Sequence, residues 1–406
     1  MSRKHTGYRS GDREYRYISI ALFAAGVSTF SLLYSTQAIL PELADAFAVS
    51  AGRSTLSLSL ATAGLGAALL VAGPLSEVRG RTPLIHASLT LSALVGLACA
   101  VAPAWQALLA LRFAQGVALA GLPAVATAYM REELHPSTQA RSVGLYIGGT
   151  ALGGMSGRLL TGVVGDVAGW RWALAASAFV GLVCAAIVRL MLPPSRNFVA
   201  APAHPRHLLA MTRGVLSDPG LLALYGIGAC SMGAFVAVYN ASGFRLTSAP
   251  FHLSLAAAGL VFLVYPLGTV SSTVAGRIAD RFGRRSVVPT GCAVTIAGVL
   301  LTLPPSLPVM VLGLAVLTTG FFAVHGVASG WVPGRAFAGG VAPGQAASIY
   351  LFAYYLGSSV FGSVAGTLWS AGGWSAVAAL GVVLLAVTGL LALWLRRTPS
   401  LDPQRR

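Results

Sequence analysis

Two arginines stand inside long apolar runs. Arg112 opens the string Arg112-Phe-Ala-Gln115-Gly116, and Arg158 closes Gly153-Gly154-Met155-Ser156-Gly157-Arg158. The 11 Asp and Glu residues all fall outside the cores of the apolar runs. An ionised group away from water is costly unless it is paired, so each guanidinium needs something negative or strongly accepting. The groups on offer are Glu42, Asp45 or Asp166, the side-chain oxygen of Gln37, backbone carbonyls, or an anionic substrate. Snorkelling is the alternative for Arg112, which lies about seven residues, ~10 Å along a helix, from the end of its run. Gln115, one helical turn further in, is placed to share Arg112's partner.

Four more groups have the chemistry of a polar site. Tyr34 and Gln37 are one turn apart on one helix face in Tyr34-Ser-Thr-Gln37-Ala-Ile-Leu-Pro41-Glu42, where Pro41 is expected to kink or end the helix. His86 and His325 are the remaining titratable groups in apolar runs. An imidazole changes charge near neutral pH, and His325 is the better placed proton carrier, with a packing role as the alternative. The four cysteines, Cys99, Cys184, Cys230 and Cys292, show no ligand spacing and read as packing residues. No metal or cofactor is expected.

These groups must be carried by membrane-spanning helices. The 406 residues are 56% hydrophobic and 9% charged, against roughly 25% charged in soluble domains, and the mean hydropathy is +0.76. A spanning helix needs ~20 mostly apolar residues. Twelve such segments are expected, over 17–40, 55–76, 83–102, 106–129, 142–164, 171–192, 219–240, 254–276, 286–303, 308–330, 346–369 and 375–395. They divide into a six-helix half at 17–192 and a second at 219–395, joined by a proline- and arginine-rich linker at 193–218, with tails at 1–16 and 396–406. The net charge of +16 does not point to nucleic acid, because the arginines are spread over loops and tails. Of the 27 Lys and Arg, 22 fall on one side of this topology; the positive-inside rule puts that side, with both termini and the linker, in the cytoplasm. Trp170, Arg171, Trp172 and Trp374 read as interfacial anchors at outer span ends.

The halves repeat one another. The loop Gly276-Arg-Ile-Ala-Asp280-Arg281-Phe-Gly283-Arg284-Arg285 has an eroded copy at Gly73-Pro-Leu-Ser-Glu77-Val-Arg79-Gly80-Arg81, and Gly153, Gly162 and Trp170 match Gly357, Gly366 and Trp374. Asp280 sits at the end of a helix where the dipole disfavours an anion, so Arg281 and Arg284 are its expected neutralising partners, and Gly276 and Gly283 its turning and close-approach residues. Such a cluster suits a conformational latch formed by Gly73, Glu77, Gly80, Arg81, Gly276, Asp280, Arg281, Gly283 and Arg284; a positive-inside anchor is the alternative. Gly149, Gly153 and Gly157, with Gly362 and Gly366 in the second half, suit close helix packing.

The repeated GxxxDRxGRR pattern resembles the signature loop of the major facilitator superfamily, and Arg112-Phe-Ala-Gln115-Gly116 resembles that family's RxxQG motif, whose arginine is associated with proton coupling. The YxxQxxLPE pattern at Tyr34 to Glu42 resembles a branch of bacterial inner-membrane exporters related to sugar-efflux and drug–proton permeases. The glycine-rich run around Gly153 lacks the Gly-Pro of the family's antiporter motif. The resemblance covers essentially the whole chain. It implies an all-α membrane protein of twelve helices in two pseudo-symmetric halves, in a bacterial inner membrane. It further implies a monomer that exports a small organic molecule by alternating access, with protons as coupling ion. Coupled or facilitated uptake is the alternative. A receptor or a membrane enzyme is disfavoured: there is no sizeable soluble domain and no HExxH, GxSxG or GxxxxGK[ST] pattern.

Overall fold

The computed structural model describes residues 7–200 and 205–398. The tail residues 1–6 and 399–406, and 201–204 of the expected linker, lie outside the described residues. The chain folds into helices, in order α1 (Arg13–Leu33), a 3-10 turn (Gln37–Ile39), α2 (Leu40–Ala46), α3 (Ala51–Ser54), α4 (Leu56–Arg79), α5 (Arg81–Ala100), α6 (Trp105–Leu119), α7 (Gly121–Glu133), α8 (Pro136–Ala168), α9 (Trp170–Met191), α10 (Pro205–Leu216), α11 (Pro219–Thr247), α12 (Leu255–Gly259), a second 3-10 turn (Leu260–Val264), α13 (Tyr265–Phe282), α14 (Arg284–Leu301), α15 (Leu307–Ala338) and α16 (Pro343–Arg397).

Nine helical stretches among the described residues are long and apolar enough to cross a membrane. One of them, α16, has 55 residues, or ~80 Å of helix, far beyond a ~30 Å hydrocarbon core. Gly373, at φ 62° and ψ −155°, breaks it into two crossings. The 33-residue α8 and 18-residue α14 are long enough to cross and are diluted by glycine and polar residues. The twelve expected spans are thereby accounted for.

Two compact units are present, Met1–Ile39 with Ala63–Ala203 and Leu40–Thr62 with His204–Arg406. In the first unit, α8 lies against α1 through a glycine ladder. A Cβ on Gly153 would meet Val27 Cα at 2.6 Å, and one on Gly157 would meet Ser31 Cα at 2.6 Å; one on Gly149 would meet the backbone of Phe23. Both rows step by four residues, so one stripe of each helix makes the contact. In the second unit, Gly357 meets the backbone of Ala229 in the same way, Gly362 faces the Asn240 side chain, and Gly366 faces Ala51 and Gly52. Ser359 Oγ also donates to Ser59 O at 2.7 Å, which fixes residues 51–62 on α16.

The repeat is visible in the turns. Gly80 and Gly283 start α5 and α14 at φ 95° and 85°, a region with extended ψ that is essentially reserved for glycine. A second match is at the other helix ends. Arg171, 4.3 Å over the Trp170 ring, donates to Ala100 O and Ala102 O, both at 3.1 Å. Arg245, 4.6 Å over Trp374, donates to Leu303 O at 3.0 Å and Pro304 O at 3.1 Å. Each guanidinium caps a helix C-terminus whose carbonyls lack partners, so these residues do more than anchor at an interface. The linker is partly helical, as α10.

Candidate functional site

The site is built on a break in the first span. α1 ends at Leu33 and a tight turn precedes α2. The break falls before Pro41, which sits as the second residue of α2; proline lacks an N–H and fits the first turn of a helix. The last carbonyls of a helix have no partner within it and carry the negative end of its dipole. Arg112, fully buried on α6, meets them: Nη1 donates to Leu32 O at 3.1 Å and Nη2 to Leu33 O at 2.6 Å. Nη1 also donates to Ser35 Oγ at 3.3 Å and to Gln115 Oε1. Gln115 in turn donates to Ser92 O of α5 at 3.0 Å.

Arg158, equally buried on α8, takes the other side of the break. Its Nε donates to Gln37 Oε1 and its Nη1 to Gly154 O. Its guanidinium lies 4.0 Å from the centre of the Tyr34 ring, a cation–π distance. Tyr34, Gln37, Arg112, Gln115 and Arg158 therefore form one constellation. The oxygen of Gln37 serves Arg158, and Gln115 binds Arg112 directly rather than only sharing its partner. A planar, multi-donor cation fits this job: five N–H groups can reach diverging carbonyls that an ammonium cannot. Glu42 is half-buried on α2.

His325 is in the second unit, on α15. Its Nδ1 is 3.0 Å from Tyr350 Oη, and its ring stacks on Phe321 with centroids 5.9 Å apart and lies 4.6 Å from Tyr354. Tyr239 and Thr318 bond at 2.7 Å in the same aromatic cluster.

The two charged loops differ in their pairing. In the eroded copy, Arg81 is buried. Its Nη2 bonds Glu77 at 2.8 Å and Glu132 at 2.7 Å, and its Nη1 donates to Ser76 Oγ at 2.5 Å. In the fuller copy, Asp280, Arg281 and Arg284 are exposed, and Asp280 forms no ion pair with either arginine. The reason lies on the next helix. Glu132 of α7 holds Arg81, whereas the matching stretch of α15, Arg335-Ala336-Phe337, carries no acid. Gly73 and Gly276 face open space, so close approach belongs to neither. Arg285 caps the end of α16, donating to Arg396 O at 3.0 Å and Thr398 O at 2.8 Å.

Several partners carried no sequence signal strong enough to find them. Asp218 and Arg335 form a largely buried ion pair at 2.8 Å. Glu133, fully buried, accepts the backbone N–H of Arg196 at 2.8 Å and Asn197 at 2.9 Å. The pairing of Glu132 with Arg81 joins residues 51 apart.

Comparison with known proteins places this geometry. The family model described as Major Facilitator Superfamily matches residues 18–249 and 231–406. The chain is 40% identical over 397 residues to the inner membrane transport protein YnfM of Escherichia coli (strain K12), covering 98% of this chain and 94% of that one. It is 39% identical to YybF of Bacillus subtilis (strain 168), an uncharacterized MFS-type transporter, covering 96% and 95%. Among solved structures, a bacterial homologue of the human lysosomal transporter Spinster, inward-facing and unoccupied, aligns with a TM-score of 0.78 at 15% identity, covering 96% of this chain and 98% of that one. The nucleoside transporter NupG (D323A mutant) aligns at 0.72 and 14%, covering 94% and 99%. These two likenesses concern the fold.

Proposed function

This chain belongs to the major facilitator superfamily and is a membrane transporter, not an enzyme; we propose that it exports a small organic molecule across a bacterial inner membrane in exchange for protons. The observation that carries the reading is the break in α1, held by two buried arginines. Non-helical backbone at membrane depth is tolerated where it is buried in protein or lines a cavity, and substrate sites of secondary transporters use interrupted helices. Here Arg112 and Gln115 set the position of the break. Tyr34, Gln37 and Arg158 supply the polar and aromatic surface that meets substrate, and Glu42 follows on the same stretch of chain. His325 carries the exchanged proton, with Tyr350 as its hydrogen-bond partner. The charged loops act as the latch, with Arg81, Glu77 and Glu132 closed in this state. The working unit is a monomer, and both termini and the linker face the cytoplasm. The absence of acids from the cores of the spans leaves histidine as the natural titrating group near neutral pH.

A substrate screen in inside-out membrane vesicles with a pH-sensitive dye tests this. The vesicle lumen is acidified, and recovery of dye fluorescence on adding a compound marks proton efflux coupled to its entry. Recovery that depends on the protein is expected for at least one organic compound. Accumulation of that compound by right-side-out cells along the proton gradient would instead assign uptake.

A further inference from the structure

A cavity of about 660 Å³ opens at one end of the first unit, where the end of α4, the start of α5, the end of α9 and the first linker residues meet. Its lining carries Arg79, Arg81 and Arg189, together with His86, and no carboxylate. Arg81 is already neutralised by Glu77 and Glu132. Arg79 and Arg189 are exposed and, among the described residues, form no hydrogen bond or ion pair. Two guanidiniums therefore converge on one pocket with their charge unspent.

The pocket is a fixed feature, because its linker wall is tied down. Glu133 holds the N–H groups of Arg196 and Asn197, and Asn197 Nδ2 donates to Glu132 O at 2.8 Å. Thr82 and Ser195 bond at 3.2 Å, and Tyr129 Oη donates to Pro193 O at 2.8 Å. Phe198 lies 5.5 Å under the Arg81 guanidinium. Beside the two available arginines, Val78 and Leu190 turn outward, 51% and 85% exposed. Apolar side chains next to arginines at span ends mark the level where acyl chains meet headgroups.

We propose that this pocket binds the phosphate headgroup of an anionic phospholipid, with Arg79 and Arg189 on the phosphate and the apolar rim on the start of the acyl chains. Arginine forks match phosphate oxygens, and basic pockets between membrane helices suit anionic headgroups. A free phosphate shares the headgroup's chemistry but gains nothing from Val78 and Leu190.

The full chain, purified in neutral detergent, is titrated with phosphatidylglycerol, phosphatidylcholine of the same chain length, or inorganic phosphate. Thermal unfolding and bound-lipid mass are recorded. Phosphatidylglycerol is expected to raise Tm and remain bound, while the other two have no effect at equal concentration. Arg79→Gln and Arg189→Gln should each weaken phosphatidylglycerol binding about fivefold, the value of one cation against an anionic membrane. The Arg79→Lys/Arg189→Lys pair keeps both charges without the fork, serves as the folded comparison, and should bind more tightly than the glutamine variants and less tightly than the unaltered chain. Equal stabilisation by phosphatidylcholine, equal stabilisation by inorganic phosphate, or unchanged affinity in both glutamine variants would each overturn the assignment.

Discussion

Replacing Arg112 by lysine removes more hydrogen bonds than it can restore. The guanidinium reaches Leu32 O, Leu33 O, Ser35 and Gln115, and one ammonium cannot span that set. A buried acceptor left without a donor costs about 1–3 kcal/mol. Arg112→Lys is therefore expected to lower the Tm and to lose most transport, measured at equal expression; unchanged Tm and transport would return Arg112 to a snorkelling anchor. At Tyr34 the ring is the contact, since Arg158 lies over its face. Tyr34→Phe should keep near-normal transport and Tyr34→Ala should lose it, and equal loss in both would shift the role to the hydroxyl. His325→Gln should abolish proton movement while leaving exchange of substrate for substrate. Loss of both activities, in a variant of normal Tm, would make His325 a substrate contact instead.

Residue-level reading of the sequence singled out Arg112 and Arg158 by their charge in apolar runs, and Tyr34 and Gln37 by a helix-face spacing that gives way to a turn after Leu33. It could not pair them. Two of the acceptors of Arg112 are backbone carbonyls, which leave no mark in the sequence and lie at the end of α1 because it stops at Leu33.

At the scale of elements, spacing of glycines predicted the packing of α8 but not the partner. The contact with Phe23, Val27 and Ser31 needs the three-dimensional register. A direct test separates packing glycines from incidental ones on the same helix. A Cβ at Gly153 meets Val27 backbone, while one at Gly148 meets nothing within 4 Å. Gly153→Ala is expected to lower Tm as α1 and α8 are forced apart. Gly148→Ala should be neutral or raise Tm, since alanine gains about 0.5–1 kcal/mol over glycine inside a helix. Equal effects would contradict the ladder. The broken first span was expected at Pro41 and lies earlier, because proline marks where a helix starts as readily as where one fails. The missing pairing of Asp280 with Arg281 and Arg284 has a similar origin. The motif was judged by its own residues, while its closure depends on Glu132 of α7, which the second half lacks.

Over the whole molecule, the class was legible from very little charge, and the twelve spans from hydropathy. The duplication was legible from matching loops and from Trp170 and Trp374. The structure extends that repeat to Gly80 and Gly283, and to Arg171 and Arg245, which cap equivalent helix ends from different positions in the chain. Local charge partners such as Asp218 and Arg335 were invisible because they join residues 117 apart. Direction and coupling belong to this scale as well, since the family's fold serves either direction.

The central claim is coupling of outward substrate movement to inward proton movement. Once a compound has been identified, its radiolabelled form and the pH-sensitive dye can be followed together in one preparation of inside-out vesicles. The account predicts that uptake into the vesicles and dye recovery rise in step, and that collapsing the pH gradient with an ionophore stops accumulation. Accumulation that continues without the gradient, or that leaves the dye quenched, would contradict it.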